Sequence, residues 1–469
     1  MLAVGVLGFL AAALGIGIRA TDAAHAAVDE PQYLLTAISL GEDGSVDIAD
    51  ELAEERWRAF ADVAPPVQTA VLAGGRQVSP HDPLLPLLVA LPVRLWGWLA
   101  AKWALAVLAG GLAAATLWLA VRRFGIAPRV AVPGVALAAG TAPLAVYGQQ
   151  VYPELPAALV VTLAAAALTG PMRRGGTVAA ALCVVALPWL SVKYGPVAGA
   201  LALLTVWRLR ERRPALAALA GFWAVAGAAY LAIHHAVWGG WTVYASGDEF
   251  AGSGEFGAVG FHPDYPGRSI RLLGLLVDRD FGLGAWQPAY LLVVPAVAAL
   301  LAARPRHWQL LAVPLAVGWL NATYVALTMQ GFWWPGRQVV VVLPLAVVAT
   351  LWWVDRLRPR WQAACAGVGV LGVAVYARVL AAGWSRATTW VRAPDDTRLH
   401  PLLWWLLPDD RVLAPTDYLR LTLWTLAALL VAAAVILSAR PRERRGRSSG
   451  RRRGPAAAAC RRWSTGSPR

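Results

Sequence analysis

The sequence predicts an all-α fold: a polytopic membrane helical bundle of about twelve transmembrane helices. Three observations predict it. Hydrophobic residues fill 58% of 469 positions, and mean hydropathy is +0.54. Apolar runs approaching the ~20 residues needed to cross a bilayer recur along the chain. Arginines gather in alternate connections between those runs, as they do in membrane proteins.

The runs centre near residues 10, 110, 140, 162, 182, 201, 225, 294, 318, 346, 371 and 429. With the N-terminus inside, the even-numbered connections carry Arg122, Arg123 and Arg129; Arg173 and Arg174; Arg208, Arg210, Arg212 and Arg213; Arg304 and Arg306; and Arg356, Arg358 and Arg360. A basic tail follows Ser438 on the same side. Only Glu211, Asp355 and Glu443 place acid there. The net charge of +15 is thereby assigned to topology, not to nucleic acid, which is excluded as a partner. Cys183, Cys365 and Cys460 are scattered, so neither a disulfide framework nor a zinc knuckle is indicated. Residues 1–18 resemble a secretory leader in part, but no positive region precedes the apolar stretch. They are read as a retained first span. The chain then divides into a membrane domain over 1–438 and a disordered basic tail over 439–469.

The outer connections are unequal. The first, from about 19 to 98, holds an acidic patch of Glu42, Asp43, Asp47, Asp50, Glu51, Glu54 and Glu55. It also holds two amphipathic stretches, Pro31 to Leu40 and Leu84 to Trp96, both expected as helices lying in the membrane interface. The second, Trp238 to Trp286, contains a glycine-rich loop at Gly247 to Gly260 and a short apolar helix at Arg268 to Val277. Gly252 and Gly254 form no phosphate loop, because no strand precedes them and no Gly-Lys-Ser/Thr follows. The third, Gly383 to Leu419, carries Trp384, Trp390, Trp404 and Trp405, which read as interfacial anchors. His234-His235, at a span end, reads the same way.

Three features on the outer side carry chemistry. The first is Asp29-Glu30. The second is Glu154 in Tyr152-Pro153-Glu154-Leu155-Pro156, where proline breaks the helix at the bundle mouth. The third is Lys193, which with Lys102 makes up the only two lysines of the chain. Arg337, in Trp333-Trp334-Pro335-Gly336-Arg337, offers a planar fork for an anion. Carboxylates can take a proton from a hydroxyl, and cations can stabilise charge developing on a departing phosphate. The plainer readings stay open. Asp29 suits a helix cap, Glu154 a solvated turn, Lys193 a snorkelling cation and Arg337 a span end. His81-Asp82 offers two metal ligands without a third.

In their order and spacing these pieces resemble the GT-C superfamily of membrane glycosyltransferases, nearest the branch of protein O-mannosyltransferases and bacterial lipid A aminoarabinose transferases. The matching residues are Asp29-Glu30-Pro31 after the first span, Ser79-Pro80-His81-Asp82-Pro83-Leu84-Leu85-Pro86-Leu87 before the second, and Tyr152-Pro153-Glu154-Leu155-Pro156-Ala157-Ala158 opening the fourth. The resemblance is clearest over residues 1–210. It implies a GT-C-like bundle with two helices in the first outer loop. It implies a polyprenyl-phosphate sugar as donor and an extracytoplasmic hydroxyl, on a lipid, glycan or protein, as acceptor.

Carried onto this chain, Asp29 is the expected general base, Glu30 or Glu154 a second acidic site residue, and Lys193 a donor-phosphate contact. Arg337 joins Lys193 by position alone. Tyr33, His81, Asp82 and Tyr152 are expected donor or acceptor contacts. No cofactor and no metal ligand are assigned, and a divalent metal stays open because the family varies in metal dependence. The expected location is a bacterial cell membrane, with both termini cytoplasmic and the active site outside. Two other classes remain: a multi-span transporter, and a non-catalytic membrane assembly protein. Against the carrier, the spans are nearly charge-free and the acids gather outside.

Overall fold

The computed structural model describes residues 1–66, 68–241, 263–391 and 405–439. The glycine-rich segment Gly247 to Gly260, Trp404 and the basic tail lie outside the described residues. Among the described residues, a helix occupies or adjoins each of the twelve predicted centres. Five helical segments are long and apolar enough to cross a membrane: Leu99–Phe124, Arg213–Trp238, Arg337–Val354, Pro359–Trp384 and Pro415–Ser438. Other apolar helices are shorter. Leu2–Ala13, with 12 residues, is only ~18 Å long at ~1.5 Å per residue.

Local chemistry explains the helix limits. Leu99–Phe124 ends with Arg122 and Arg123 in its last turn, where cations complement the helix dipole. Pro288–Leu292 forms a 3-10 turn before helix Val293–Ala303. Helix Gln309–Leu320 runs into a π turn over Asn321–Val325.

Arg337–Val354 runs through the middle of the bundle and is buried almost end to end. Arg213–Trp238 and Pro415–Ala439 lie at the periphery and turn Val225, Leu231, Leu429 and Leu430 outward, as lipid-facing helices do. Leu2–Ala13 packs along Leu99–Phe124 through small residues. A Cβ on Gly110 would stand 2.8 Å from the Gly5 carbonyl oxygen, and one on Gly5 would stand 3.1 Å from that of Gly110. Close backbone approach of this kind is how membrane helices gain dispersion contact without a hydrophobic driving force.

The first outer loop differs from its predicted form in one respect. Helix Glu30–Glu42 does not lie on the surface, since Glu30 through Ser39 are all buried. Its polar side chains bond inward: Gln32 donates to the Pro66 carbonyl at 3.3 Å, and Ser39 donates to that of Asp47 at 2.7 Å. A two-residue antiparallel ladder, Ala70–Val71 with Gln77–Val78, folds the same loop back. Helix Leu84–Trp96 does expose Leu87, Leu88, Leu91, Leu95 and Trp96, an interfacial face. Trp384 is exposed, whereas Trp390 is buried and meets the Trp334 ring edge-on at 5.4 Å. Trp390 is thus a core residue and not an interfacial anchor.

Gly110→Leu is expected to separate the first helix from its neighbour. Overpacking of this sort costs about 1–3 kcal/mol, and thermal unfolding in detergent should report a lower Tm than wild type.

Candidate active site

Four charged side chains converge at one end of the bundle, and each is placed by its own local geometry. Asp29 stands at the N-cap of helix Glu30–Glu42, yet its side chain caps nothing. Its carboxylate is therefore free to reach outward. Pro153 precedes the helix that begins at Glu154, which puts that acid in the first turn, where the helix dipole favours a negative charge. Gly336 adopts φ +84°, and a Cβ there would strike Leu283 and Pro143, so glycine is required to turn Arg337 into the bundle. Lys193 sits in the 3-10 turn between Arg174–Leu190 and Gly195–Leu209, and Asn321 donates its amide to the Lys193 carbonyl at 3.0 Å.

The four join in one network. Arg337 Nη2 donates to Asp29 Oδ2 at 2.6 Å, and Arg337 Nε donates to Glu154 Oε1 at 2.8 Å. Lys193 Nζ donates to the same Glu154 oxygen at 2.6 Å. Glu154 Oε2 is buried and accepts nothing. The Arg337 guanidinium also lies over the rings of Tyr152 at 4.2 Å and Trp333 at 5.1 Å. Glu154 and Arg337 are almost enclosed, with side chains 1% and 7% exposed, while Asp29 and Lys193 show 16% and 21%. The accessible faces therefore belong to one carboxylate and one ammonium.

Burial acts to raise the Asp29 carboxyl, but Arg337, helped by His81 and Lys193, overrides it and holds the group down at about 2. Burial lowers the Lys193 ammonium, against the opposing pull of Glu154.

The remaining predicted residues fall elsewhere. Glu30 points away from this network. It accepts from the amides of Val151 at 2.8 Å and Ala27 at 3.3 Å, and lies 3.7 Å from Lys102 Nζ, with both side chains buried. Tyr33 stacks on His81 at 4.6 Å. His81 Nε2 meets Gln68 Oε1 at 3.2 Å, and Gln68 in turn donates to Asp29 Oδ1 at 3.4 Å. Asp82 is buried and fully engaged: Oδ2 accepts from the Val192 amide at 2.7 Å, and Oδ1 from the Tyr230 hydroxyl and His234 Nε2, each at 3.0 Å. His81 and Asp82 consequently do not converge as metal ligands. His234 is buried, not interfacial, whereas His235 is exposed.

From sequence, Gln68, Lys102, Tyr230 and Asn321 have no role, and His234 is marked only as interfacial. Only Lys102 carried a signal, as one of two lysines. Beyond Trp333 and Trp334 a cavity of about 370 Å³ opens, walled also by Phe281, Trp286, Trp390 and Arg411.

The helices together define an all-α polytopic membrane bundle. No protein-family model matches the chain, and no curated protein does. Among solved structures, the chain is similar to the crystal structure of ArnT from Cupriavidus metallidurans in the apo state, at 19% identity and a TM-score of 0.50, over 92% of this chain and 73% of that one. It is also similar to that protein bound to undecaprenyl phosphate, at 18% identity and a TM-score of 0.47, over 93% and 72%. At such identity the first likeness shows the fold.

Asp82→Ala is expected to leave the Val192 amide, the Tyr230 hydroxyl and His234 Nε2 without their acceptor. Each orphaned group costs about 1–3 kcal/mol, so a marked fall in Tm should follow, measured against Asp62→Ala on the exposed rim.

Proposed function

We propose that this protein is a membrane glycosyltransferase that moves a sugar from a polyprenyl-phosphate donor to a hydroxyl acceptor on the extracytoplasmic side. The observation that carries the reading is the Asp29–Arg337–Glu154–Lys193 network. Two cations held side by side by one buried carboxylate suit a phosphate, and the partly accessible Asp29 suits an acceptor hydroxyl. The unpartnered Oε2 of Glu154 suits a sugar hydroxyl. Resemblance in the Asp29-Glu30-Pro31 and Tyr152-Pro153-Glu154 segments, together with the GT-C fold, supports the same reading. The membrane domain is taken as 1–438, followed by the basic tail. Membrane lipids surround it and no nucleic acid is involved.

The reaction is a single inverting displacement. Asp29 accepts the proton of the acceptor hydroxyl, and the oxygen attacks the anomeric carbon from the face opposite the donor phosphate. The bond from that carbon to the phosphate oxygen breaks, and the polyprenyl phosphate leaves with the electron pair against Arg337 and Lys193. A carboxyl held at about 2 is a weak base while Arg337 grips it. Donor phosphate competes for that guanidinium and loosens the grip, so Asp29 becomes more basic as the donor binds. Glu154 positions the two cations, and Glu30 with Lys102 anchors the loop beneath Asp29.

Asp29→Asn is expected to lose transfer by at least the roughly 10²–10⁴-fold that general base catalysis supplies, in a variant that still folds in detergent but with a lower Tm, because Arg337 loses one of its two carboxylates. Retained turnover in the folded variant would remove Asp29 from this role. Polyprenyl-phosphate sugars screened against the purified protein should raise Tm, by the equivalent of about 2.7 kcal/mol at a hundredfold excess over Kd. No stabilisation by any donor in the panel would count against the reading.

A pH profile gives a separate check. The depressed carboxyl stays ionised in the free protein far below neutrality, and its proton is taken up only as pH falls towards about 2. The profile of kcat/KM, which reports the free protein, should show no acid limb from Asp29 between about pH 4 and 7.

A further inference from the structure

At the end of the bundle remote from Arg337, a second cavity of about 320 Å³ lies between helices Pro128–Ala139, Leu343–Val354 and Pro359–Trp384. Val130, Leu137, Val347, Leu351 and Val354 give it an apolar wall. Pro133, Ala363 and Ala366 on its rim are exposed, so it opens sideways, where lipid lies. Hydrogen bonds brace the helices around it. Gln287 donates to Thr141 Oγ1 at 3.0 Å and to the Gly369 carbonyl at 3.1 Å, and Gln362 donates to the carbonyls of Asp355 and Leu357 at 3.2 and 3.1 Å. One end of the cavity is polar. Arg129 and Gln362 line it, and two of the three helices start there, with N-cap residues Ala127 and Arg358 whose side chains cap neither. Tyr290 also lines the cavity; it is 6% exposed, and its hydroxyl is buried without a hydrogen-bond partner.

We propose that this cavity holds one anionic phospholipid, with its phosphate at Arg129 and the two helix starts and one acyl chain inside. Two helix N-termini at one place favour an anion through their dipoles and free amides. Arg129 adds a full charge, is exposed, and meets no carboxylate among the described residues. Arg356, Arg358 and Arg360 stand at the same end and outnumber Asp355, which accepts the Ala127 amide at 3.4 Å. Basic pockets between spanning helices on the cytoplasmic side are where anionic headgroups bind, and the arginine pattern reads this end as cytoplasmic. The apolar part suits a chain. At the ~30 Å³ that a water molecule takes in the liquid, the cavity accepts about ten groups of methylene size. It follows helix Pro128–Ala139 from Arg129 to Ala138, ~14 Å at the helical rise. A lipid ester oxygen is an acceptor of the kind the Tyr290 hydroxyl lacks. A small soluble anion would leave the apolar wall unused, and a neutral lipid would leave Arg129 unpaired.

This site is separate from the candidate active site and does not depend on the reaction proposed there. Arg337 and Val354 stand at opposite ends of one helical segment, ~25 Å apart at the helical rise. The chain would pack on Val347, Leu351 and Val354, the far part of the segment that begins with Arg337. It would fill a space between that segment and Pro359–Trp384 and restore the dispersion contacts that an empty cavity forfeits.

The test uses the full-length protein, delipidated in detergent and titrated with phosphatidylglycerol or with phosphatidylcholine of the same acyl chains. Native mass spectrometry counts bound lipid, and thermal melting follows stability. One phosphatidylglycerol per chain is expected to bind more tightly than any later one and to raise Tm. Phosphatidylcholine should bind at least about fivefold more weakly, the worth of one charge at a basic surface. Arg129→Gln should weaken phosphatidylglycerol by about the same factor and remove the preference between the two lipids. Ala366→Trp, which blocks the rim, should abolish the tight site for both. Arg174→Gln, at the same end but not on the cavity, should leave binding unchanged. Glycerol 3-phosphate, which has the phosphate and no chain, should not compete. Arg129 is exposed, so the lipid-free Tm of Arg129→Gln should equal wild type; should Ala366→Trp fail to fold, Arg129→Gln and the comparison of lipids decide. Equal binding of the two lipids, binding unaltered in Arg129→Gln, or displacement by glycerol 3-phosphate would overturn the proposal.

Discussion

The structure turns on a single buried guanidinium. Arg337 lies at the start of the central helical segment and is nearly closed to solvent. A charge in that position is costly unless it is paired and its donors are used. One carboxylate comes from the helix that starts at Glu154, inside the bundle. The other comes from Asp29, at the root of the first outer loop, more than three hundred residues away in sequence. The guanidinium is therefore satisfied only when the loop has docked. Tyr152 and Trp333, whose rings face it, complete an enclosure in which the Arg fork has one orientation.

The same division of labour recurs along the loop. Acids on the loop meet cationic or hydrogen-bond-donating groups on the bundle at three separate places. Asp29 meets Arg337, Glu30 meets Lys102, and Asp82 meets His234, Tyr230 and the Val192 amide. The third tie bears on the first, because Val192 adjoins Lys193, and Lys193 shares Glu154 with Arg337. Buried ion pairs often add little net stability against an apolar alternative. What they add here is register: each tie accepts one position of the loop and rejects its neighbours. Of the two lysines of the chain, Lys102 stands at the second of these contacts, and Lys193 adjoins the third through Val192.

The helices were legible because lipid leaves few choices. Apolar runs of suitable length in a membrane become helices, since no other local structure satisfies their backbone groups. The helix Leu84–Trp96 was readable to the residue from its amphipathic pattern. Within the candidate site, Asp29, Glu154, Lys193 and Arg337 stood out because each is a charge beside an apolar run. Their mutual contacts were not readable, since spacing along the chain says nothing about which span ends meet. Glu30 was misplaced for a related reason: it adjoins Asp29 in sequence, but successive helical residues point about 100° apart, and only one of the pair could face Arg337. His234 looked interfacial because it sits near a span end, and its buried partner Asp82 lies on a different part of the chain. The burial of helix Glu30–Glu42 escaped notice because Gln32 and Ser39, which mark a solvent face in an isolated helix, bond here to loop carbonyls.

The charge balance of the network bears on how the proposed reaction is ordered. Asp29 and Glu154 supply two negative charges, and Arg337 and Lys193 two positive ones, so the unliganded cluster is neutral. An incoming phosphate cannot simply be added, because its charge would be uncompensated in a poorly solvated site. It must draw on the cations already engaged. Glu154 is almost fully buried and is held by both cations, whereas Asp29 is the more accessible acid and is held by Arg337 alone of the two. Competition therefore falls on the Arg337–Asp29 contact. The guanidinium that keeps Asp29 a poor base in the resting protein is the group the phosphate needs. On the proposed reading, that shared dependence restrains the base until the donor is in place, without any large movement of the bundle.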